Sequence, residues 1–224
     1  MLVAKQKKWN KQFSRLIEPT KICKLCFKSF YPKDIVHIFN DINVCLNCFR
    51  EIEPKFIEFK VGQYKAISIY EYGDKIKELL YQFKGCFDIE ISDVFLGRYA
   101  RELKLMYEGY LVVPVPSYYE DDEIREFNHV EEMFKFLKLP MRKVIVKTDK
   151  IKQADKHYNE RQEIGNHLKL IGGEDLKNKK LLIVDDVYTT GSTVKAVISL
   201  LETLRPKTIK ILVMSKTPDK EKLE

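Results

Sequence analysis

Residues 181–193 read LLIVDDVYTTGST, and this stretch restricts the possible folds more than any other. Its apolar opening reads as a strand. It stops at two adjacent aspartates, passes through hydroxyl-bearing residues around one glycine, and leads into a helical pattern from about Ser192 to Leu204. The order is therefore strand, tight turn, helix. In open α/β sheets, ligands sit beyond the carboxyl ends of the strands, which is where Asp185 and Asp186 are expected.

The turn has the makings of an anion site. Backbone N–H groups at a helix start are unpaired and point outward. Gly191 permits close approach, and Thr189, Thr190, Ser192 and Thr193 add hydroxyl donors. A phosphate suits them. Carboxylates touching the same phosphate would repel it, so Asp185 and Asp186 must address another part of the ligand, and vicinal sugar hydroxyls fit. The pattern points to a ribose 5-phosphate. A Walker B strand also ends in acidic residues, but none of the nine glycines lies in a G-x-x-x-x-G-K-[ST] loop. A response-regulator acidic pocket has no use for the hydroxyl-rich turn. The plainest alternative is that Asp186 caps the helix and Asp185 is solvated.

Strand and helix patterns alternate along the rest of the chain. QYKAISIYEYGDKIKELLYQFKG reads as a strand or hairpin, a turn, then a helix carrying Ile76, Leu79, Leu80 and Phe83 on one face. Residues 89–108 keep a helical period through Phe95, Tyr99, Leu103 and Met106, and YLVVPVP is a buried strand. A polar stretch, SYYEDDEIREFNH, precedes a helix from about Val130 to Leu137. RKVIVK is a short strand, residues 148–170 are largely charged and loop-like, and KTIKILVMSK is the last strand. This alternation predicts an α/β fold, a parallel sheet flanked by helices.

A second feature sits near the N-terminus. Cys23-x2-Cys26 and Cys45-x2-Cys48 are separated by 18 residues. Two tight turns carrying paired thiolates close a tetrahedron, the geometry of a structural zinc site. Two disulfides or free thiols are the alternative, and a reducing compartment disfavours the disulfides. The aromatic after each pair, Phe27 and Phe49, is placed to cover the metal. Cys86 is left over as a small packing residue. Residues 1–60 hold 12 Lys/Arg against 6 Asp/Glu, while residues 61–224 hold 28 against 27. Attraction to polyanions is therefore expected from the N-terminal part, where Lys5, Lys7, Lys8, Lys11 and Arg15 interleave with Trp9 and Phe13. No apolar run approaches the about 18 residues of a membrane span, and the basic start is unlike a secretory signal, so the expected location is cytoplasmic. The segments read as a basic arm (1–20), a zinc ribbon (21–60), a ligand-binding α/β domain (61–216) and a disordered tail (217–224).

VDDVYTTGST resembles the signature of type I phosphoribosyltransferases, which bind phosphoribosyl pyrophosphate (PRPP). With the four-cysteine ribbon, VPVP, REFNH, a Gln and an ER pair in that order, the chain resembles the ComF family over roughly residues 21–215. The resemblance implies a type I phosphoribosyltransferase-like sheet. It implies that Asp185 and Asp186 hold the ribose hydroxyls, directly or through Mg²⁺, and that residues 189–193 cradle the 5-phosphate. The loop after Pro114-Val115-Pro116 would approach the pyrophosphate, with Arg125 and Asn128 nearby. Gln153 and Arg161 would lie on a segment that closes over the site. It further implies a role in DNA uptake and natural transformation, with single-stranded DNA, a ComFA-type helicase and DNA-processing proteins as partners.

The chain departs from the family pattern in places. The family usually shows Arg-Gly-Phe-Asn-Gln, whereas here Glu126 replaces the glycine and His129 the glutamine. Ile164 stands where an asparagine is expected after Arg161. The four carboxylates of residues 120–123 are expected to face solvent rather than a polyanion. His129 is read as a loop or helix-start residue rather than a general base, His157 and His167 as surface residues, Lys84 as a phosphate contact or a solvated helix end, and Tyr118 and Tyr119 as base-stacking or packing residues. The competing functions are a nucleotide-salvage or biosynthetic phosphoribosyltransferase, and a nucleic-acid-binding module with a non-catalytic ribose-phosphate site.

Overall fold

The computed structural model describes residues 20–32, 42–147 and 167–218. The chain divides into two units, Met1–Arg50 and Glu51–Glu224. The first carries two short antiparallel strands, β1 (Lys21–Ile22) and β2 (Ser29–Phe30), and helix α1 (Leu46–Glu51) at its end. The basic arm before residue 20 and the tail after residue 218 lie outside the described residues.

The second unit opens with β3 (Ile57–Val61) and β4 (Tyr64–Glu71), an antiparallel hairpin in which Lys60 faces Lys65. Helix α2 (Asp74–Gly85) follows and buries the four residues that the periodicity selects, Ile76, Leu79, Leu80 and Phe83. The helical stretch expected over 89–108 is broken into a 3-10 turn at Ile89–Ile91, α3 (Ser92–Leu96) and α4 (Ala100–Met106). Then come β5 (Tyr110–Pro114), α5 (Tyr119–Arg125) and α6 (His129–Phe134), which continues into a 3-10 turn at Lys135–Leu137. The polar stretch before α6 is thus helical, not an open loop. Strands β6 (Ile145–Lys147) and β7 (Leu168–Leu170) precede β8 (Lys180–Tyr188), α7 (Ser192–Glu202) and β9 (Thr208–Lys216).

The main sheet has the order β3-β4-β9-β8-β5. Strands β4, β9, β8 and β5 run parallel, and β3 adds an antiparallel edge. The sheet is therefore mixed at one margin. RKVIVK does not join it: β6 pairs antiparallel with β7 in a separate ladder, Lys147 opposite Leu168. The free side of β5 is covered at one level by residues 140–142, through Val112 N–H to Pro140 O and Arg142 N–H to Val112 O, both 2.8 Å.

The central strands carry the apolar core. Leu181–Val184 and Ile211–Met214 are fully buried, which is why both runs are continuous rather than alternating. Helix α7 packs Val194, Val197, Ile198 and Leu201 into one apolar cluster with Leu181, Ile183, Ile209 and Ile211. Elsewhere Phe83 of α2 lies between Phe95 (ring centroids 5.4 Å apart) and Phe127 (5.2 Å). That box fixes the last turn of α2 beside the start of α6.

Candidate functional site

The aspartates do not end their strand. Strand β5 stops pairing with β8 at Pro114 opposite Val184, but β9 continues, with Asp185 opposite Val213 and Tyr188 opposite Lys216. The two carboxylates therefore lie just past the end of one neighbour while still held by the other. Both residues are 8% exposed. Asp186 sits inside the strand and does not cap α7, whose N-cap is Gly191.

Asp186 accepts from three donors. Its Oδ1 accepts from the N–H of Val187 at 2.6 Å. Its Oδ2 accepts from Lys84 Nζ, in the last turn of α2, and from His129 Nε2, at the start of α6, at 3.2 Å. Burial alone would raise this carboxyl's pKa, but His129 and Lys84 outweigh it and hold the group well below the usual range. Asp185 behaves oppositely. Burial, then repulsion from Asp186, pushes it well above the ordinary carboxylate value, only partly offset by the backbone N–H of Asp186 at 2.9 Å. Asp186 is thus held by two cationic or ring donors and a backbone N–H, whereas Asp185 accepts from the backbone N–H of Asp186.

A polar chain leads outward from Asp186. Arg125 Nη1 lies 3.0 Å from His129 Nδ1 and 3.2 Å from Asp122 Oδ1. Asp122 Oδ2 accepts from Ser117 Oγ at 2.5 Å and from Asn128 Nδ2 at 2.8 Å, and Asn128 Nδ2 also reaches Ser117 Oγ at 2.7 Å. Asn128 Oδ1 caps α6 by accepting from the N–H of Glu131 at 3.0 Å. The loop after Pro116 is thus pinned to the start of α6 through Ser117. This corrects the expectation for residues 120–123. Glu120 and Glu123 are exposed, but Asp121 and Asp122 are half-buried, and Asp122 organises the loop.

Lys147, the last residue of β6, joins the same region. Its ammonium stands 4.5 Å from the centre of the Tyr118 ring. Burial lowers its pKa, while Asp185, Asp186, Asp121 and Asp122 pull the other way. Tyr118 is therefore a packing partner of a cation, whereas Tyr119 is 69% exposed.

The turn after β8 takes the shape that its composition suggests. Gly191 has φ +72°, and a Cβ there would stand 2.2 Å from the Tyr188 hydroxyl, so any other residue is strained and forces the Tyr188 ring to shift. Thr190 Oγ1 and Ser192 Oγ lie 2.9 Å apart at the start of α7, and Thr189 and Thr190 are exposed. Ser192 and Thr193 occupy the first turn, where amides have no partner within the helix.

Of the residues singled out from sequence, Asp185, Asp186, Arg125 and Asn128 fall in one connected network, Pro116 precedes its Ser117 member, and residues 189–193 follow within a few positions. Gln153, Arg161 and His157 lie outside the described residues. Sequence reasoning gave Lys84 as a phosphate contact or a solvated helix end and His129 as a loop or helix-start residue, placed Asp122 among carboxylates facing solvent, and missed Ser117 and Lys147 altogether. The pairing of Lys84 with Asp186 spans 102 positions, and no local pattern signals it.

In the first unit, the four thiol sulfurs of Cys23, Cys26, Cys45 and Cys48 lie within 4.8 Å of one another. Four zinc–thiolate bonds of about 2.3 Å give a tetrahedron with edges of about 3.8 Å, and Cys26 Sγ to Cys45 Sγ measures 3.8 Å. The donor set and its spacing fit zinc. Burial raises the Cys23 thiol, but N–H donors led by that of Cys45, 3.3 Å from its sulfur, bring it down to about 7. Phe49 is buried, but Phe27 is 77% exposed and covers nothing.

Residues 134–224 match the phosphoribosyl transferase domain family. The chain is 28% identical over 128 residues to a competence protein, ComFC, of Bacillus subtilis, an alignment covering 56% of this chain and 53% of the relative. It is 29% identical over 174 residues to the ComFC of Streptococcus pneumoniae, covering 74% and 77%. It is 38% identical over 68 residues to the hypoxanthine-guanine phosphoribosyltransferase of Bos taurus, covering 28% and 31%. The chain thus spans about half the length of the first relative and a third of the last. Among the described residues, no helix is long and apolar enough to cross a membrane.

Proposed function

We propose, on the premise that this is a ComFC-like chain with a phosphoribosyltransferase-type domain and a four-cysteine N-terminal cluster, that it binds PRPP at the end of β8. The observation carrying this reading is the pairing of a buried carboxylate couple with a glycine-started helix a few residues later on the same strand–turn–helix unit. Asp185 and Asp186 hold the ribose hydroxyls. The amides and hydroxyls of Thr189, Thr190, Gly191, Ser192 and Thr193 hold the 5-phosphate. Ser117, Arg125 and Asn128 face the pyrophosphate from the loop after Pro116, and Lys147 balances charge between the carboxylates and the incoming anion. The acidic pair also suits Mg²⁺, which when bound would neutralise charge on the pyrophosphate. In solution, PRPP with Mg²⁺ raises the melting temperature because it binds only the folded state; no shift at saturating PRPP and Mg²⁺ defeats the reading.

The name of the two ComFC relatives, competence protein, supports a setting in natural transformation, and the reading extends to DNA uptake in contact with single-stranded DNA, a ComFA-type helicase and DNA-processing proteins. The stretch shared with hypoxanthine-guanine phosphoribosyltransferase favours a second reading, transfer of phosphoribose to a nucleobase. Pyrophosphate release from PRPP across a panel of bases and oligonucleotides separates the two. Release with a free base supports the second, and release with none of the free bases leaves the first.

A further inference from the structure

The end of the sheet away from the aspartates carries an arrangement that folding alone does not favour. Lys60 of β3 stands directly opposite Lys65 of β4. On the other side of β4, Ala66 pairs with Ile211, which sets Lys65 beside Lys210 of β9 one step earlier. Like charges directly opposite one another on a sheet are destabilising. Among the described residues no ion pair involves Lys60, Lys65, Lys207 or Lys210. Lys210 is held by aromatic faces instead, 5.7 Å from the Tyr107 ring centre and 5.2 Å from that of Tyr110. Among the described residues, Glu58 stands beside these lysines, and Glu202 lies close by, accepting from the Tyr64 hydroxyl at 2.6 Å.

Two open grooves of about 480 Å³ each meet here. Lys60, Lys65, Lys210 and the half-exposed Met106 line the first. Lys65, Lys207 and Lys210 line the second, beside Tyr64. Because Lys65 and Lys210 border both, the grooves form one track across the strands rather than two separate cups.

We infer that this lysine track is a docking surface for single-stranded nucleic acid, whose phosphates run along Lys60, Lys65, Lys210 and Lys207 while Met106 offers an apolar surface to a base. The charge fits: Lys60, Lys65 and Lys210 stand abreast on neighbouring strands, and Lys207 borders the adjoining groove. With Glu58 and Glu202 as the nearby carboxylates, the cations remain in excess and relieve their mutual repulsion on a chain of phosphates. A compact anion would need only one groove. The track lies at the amino-terminal ends of β4 and β9, so an occupant does not contest the carboxylate pair at the far end of β8. The inference names a surface for the DNA contact proposed above and is independent of PRPP binding.

The test uses the full-length protein and a fluorescein-labelled oligothymidylate longer than the ~4–16 nucleotides typical of such grooves. Single-strand binding scales with salt at about 0.7 per phosphate neutralised. Replacing Lys60→Gln and Lys65→Gln together should therefore flatten the slope of log affinity against log salt by about 1.4 and weaken binding about 25-fold at 0.1 M salt. Because the two lysines repel each other, the variant should melt no lower than wild type, and its PRPP shift should be unchanged. Equal affinity and slope in variant and wild type overturn the inference while leaving PRPP binding untouched. So does loss of all binding in a Lys7→Gln, Lys8→Gln, Lys11→Gln variant, which would place the strand on the N-terminal arm. Displacement by thymidine triphosphate at the oligonucleotide's own concentration would mark a small-ligand site and overturn it as well. Failure of the wild type to bind any oligonucleotide removes both this surface and the DNA contact, again without bearing on PRPP.

Discussion

Arg125 Nη1 lies 3.0 Å from His129 Nδ1, and a guanidinium has no lone pair to offer. His129 must accept at Nδ1, so its proton sits on Nε2 and is donated to Asp186, 3.2 Å away. Arg125 therefore fixes the tautomer, and the pair is a hydrogen bond from a neutral ring to a carboxylate. A ring whose Nε2 already carries a proton is not poised as a general base. Nitrogen-15 spectra of the imidazole should show the neutral Nε2–H form. A His129→Gln variant keeps both contacts, its amide oxygen accepting from Arg125 and its nitrogen donating to Asp186, and should melt near wild type. His129→Leu should cost about 1.5–3 kcal/mol. An Nδ1–H ring, or a glutamine variant as unstable as the leucine one, would refute the assignment.

The two aspartates should respond to substitution in opposite directions. Asp186→Asn strips the charge partner from Lys84 and His129 and should destabilise by about 1.5–3 kcal/mol. Asp185→Asn removes a buried, repelled carboxylate and should raise the melting temperature of the free protein. The signs follow from the pKa directions. A depressed carboxyl contributes stability above its unfolded pKa of about 3.9, lost as pH falls through its folded value. A raised one costs stability as pH climbs from about 3.9 toward its folded value. Melting curves from neutral pH into acid should therefore show both differences shrinking at the acid end. Parallel shifts in the two variants would contradict this.

Ligand binding should release a proton. Asp185 has its pKa raised in the free protein, while sugar hydroxyls or Mg²⁺ favour the ionised form. PRPP affinity should increase with pH through the window above about 3.9 in which Asp185 ionises. Calorimetry in buffers of different ionisation heat reads the proton directly, and an Asp185→Asn variant should show none. Identical heats across buffers within that window would rule out the coupling.

At Gly191, alanine meets two obstacles at once, a left-handed φ of +72° and the Tyr188 hydroxyl 2.2 Å from the new Cβ. The backbone term alone is worth about 1–2 kcal/mol. Gly191→Ala should lower stability by at least that and abolish the PRPP-dependent shift, as differential scanning fluorimetry would report. A variant that melts like wild type would mean that the turn relaxes freely.

One zinc per chain is expected from elemental analysis, held by Cys23, Cys26, Cys45 and Cys48. Chelation should expose four reactive thiols and unfold the first unit, whose small core leaves the metal to supply much of its folding energy. Freely titrating thiols in untreated protein would exclude the site.

What was legible in the sequence was local. The helix Asp74–Gly85 announces itself by period, β8 and β9 by unbroken apolar runs, and the turn at Gly191 by composition, since each is specified by neighbours in the chain. The contacts that define the site are not local. Lys84, His129 and Asp186 belong to three elements, brought together by the Phe83–Phe95–Phe127 box, and only packing reveals them. Edge pairing was equally hidden: nothing in RKVIVK says that it pairs with Leu168–Leu170 instead of the main sheet. Glu126 illustrates a partial reading. Its replacement of the family's glycine was visible, but only the structure shows why glycine suits the place, a left-handed φ of +64° ending α5.

The three-way hold on Asp186 has an evolutionary consequence. A residue that ties the last turn of α2 and the first turn of α6 to the central sheet is selected through folding, whether or not any reaction takes place beside it. A lineage that lost turnover would still lose abundance by mutating Asp186, because Lys84 and His129 would be left facing a hole. Among the described residues, Asp185 ties no second element to the sheet, and burial beside Asp186 is expected to make its ionised form costly in the free protein, so on the PRPP reading it is ligand use that holds it in place. Persistence of the first aspartate, not the second, is therefore the record of selection for binding in chains of this design.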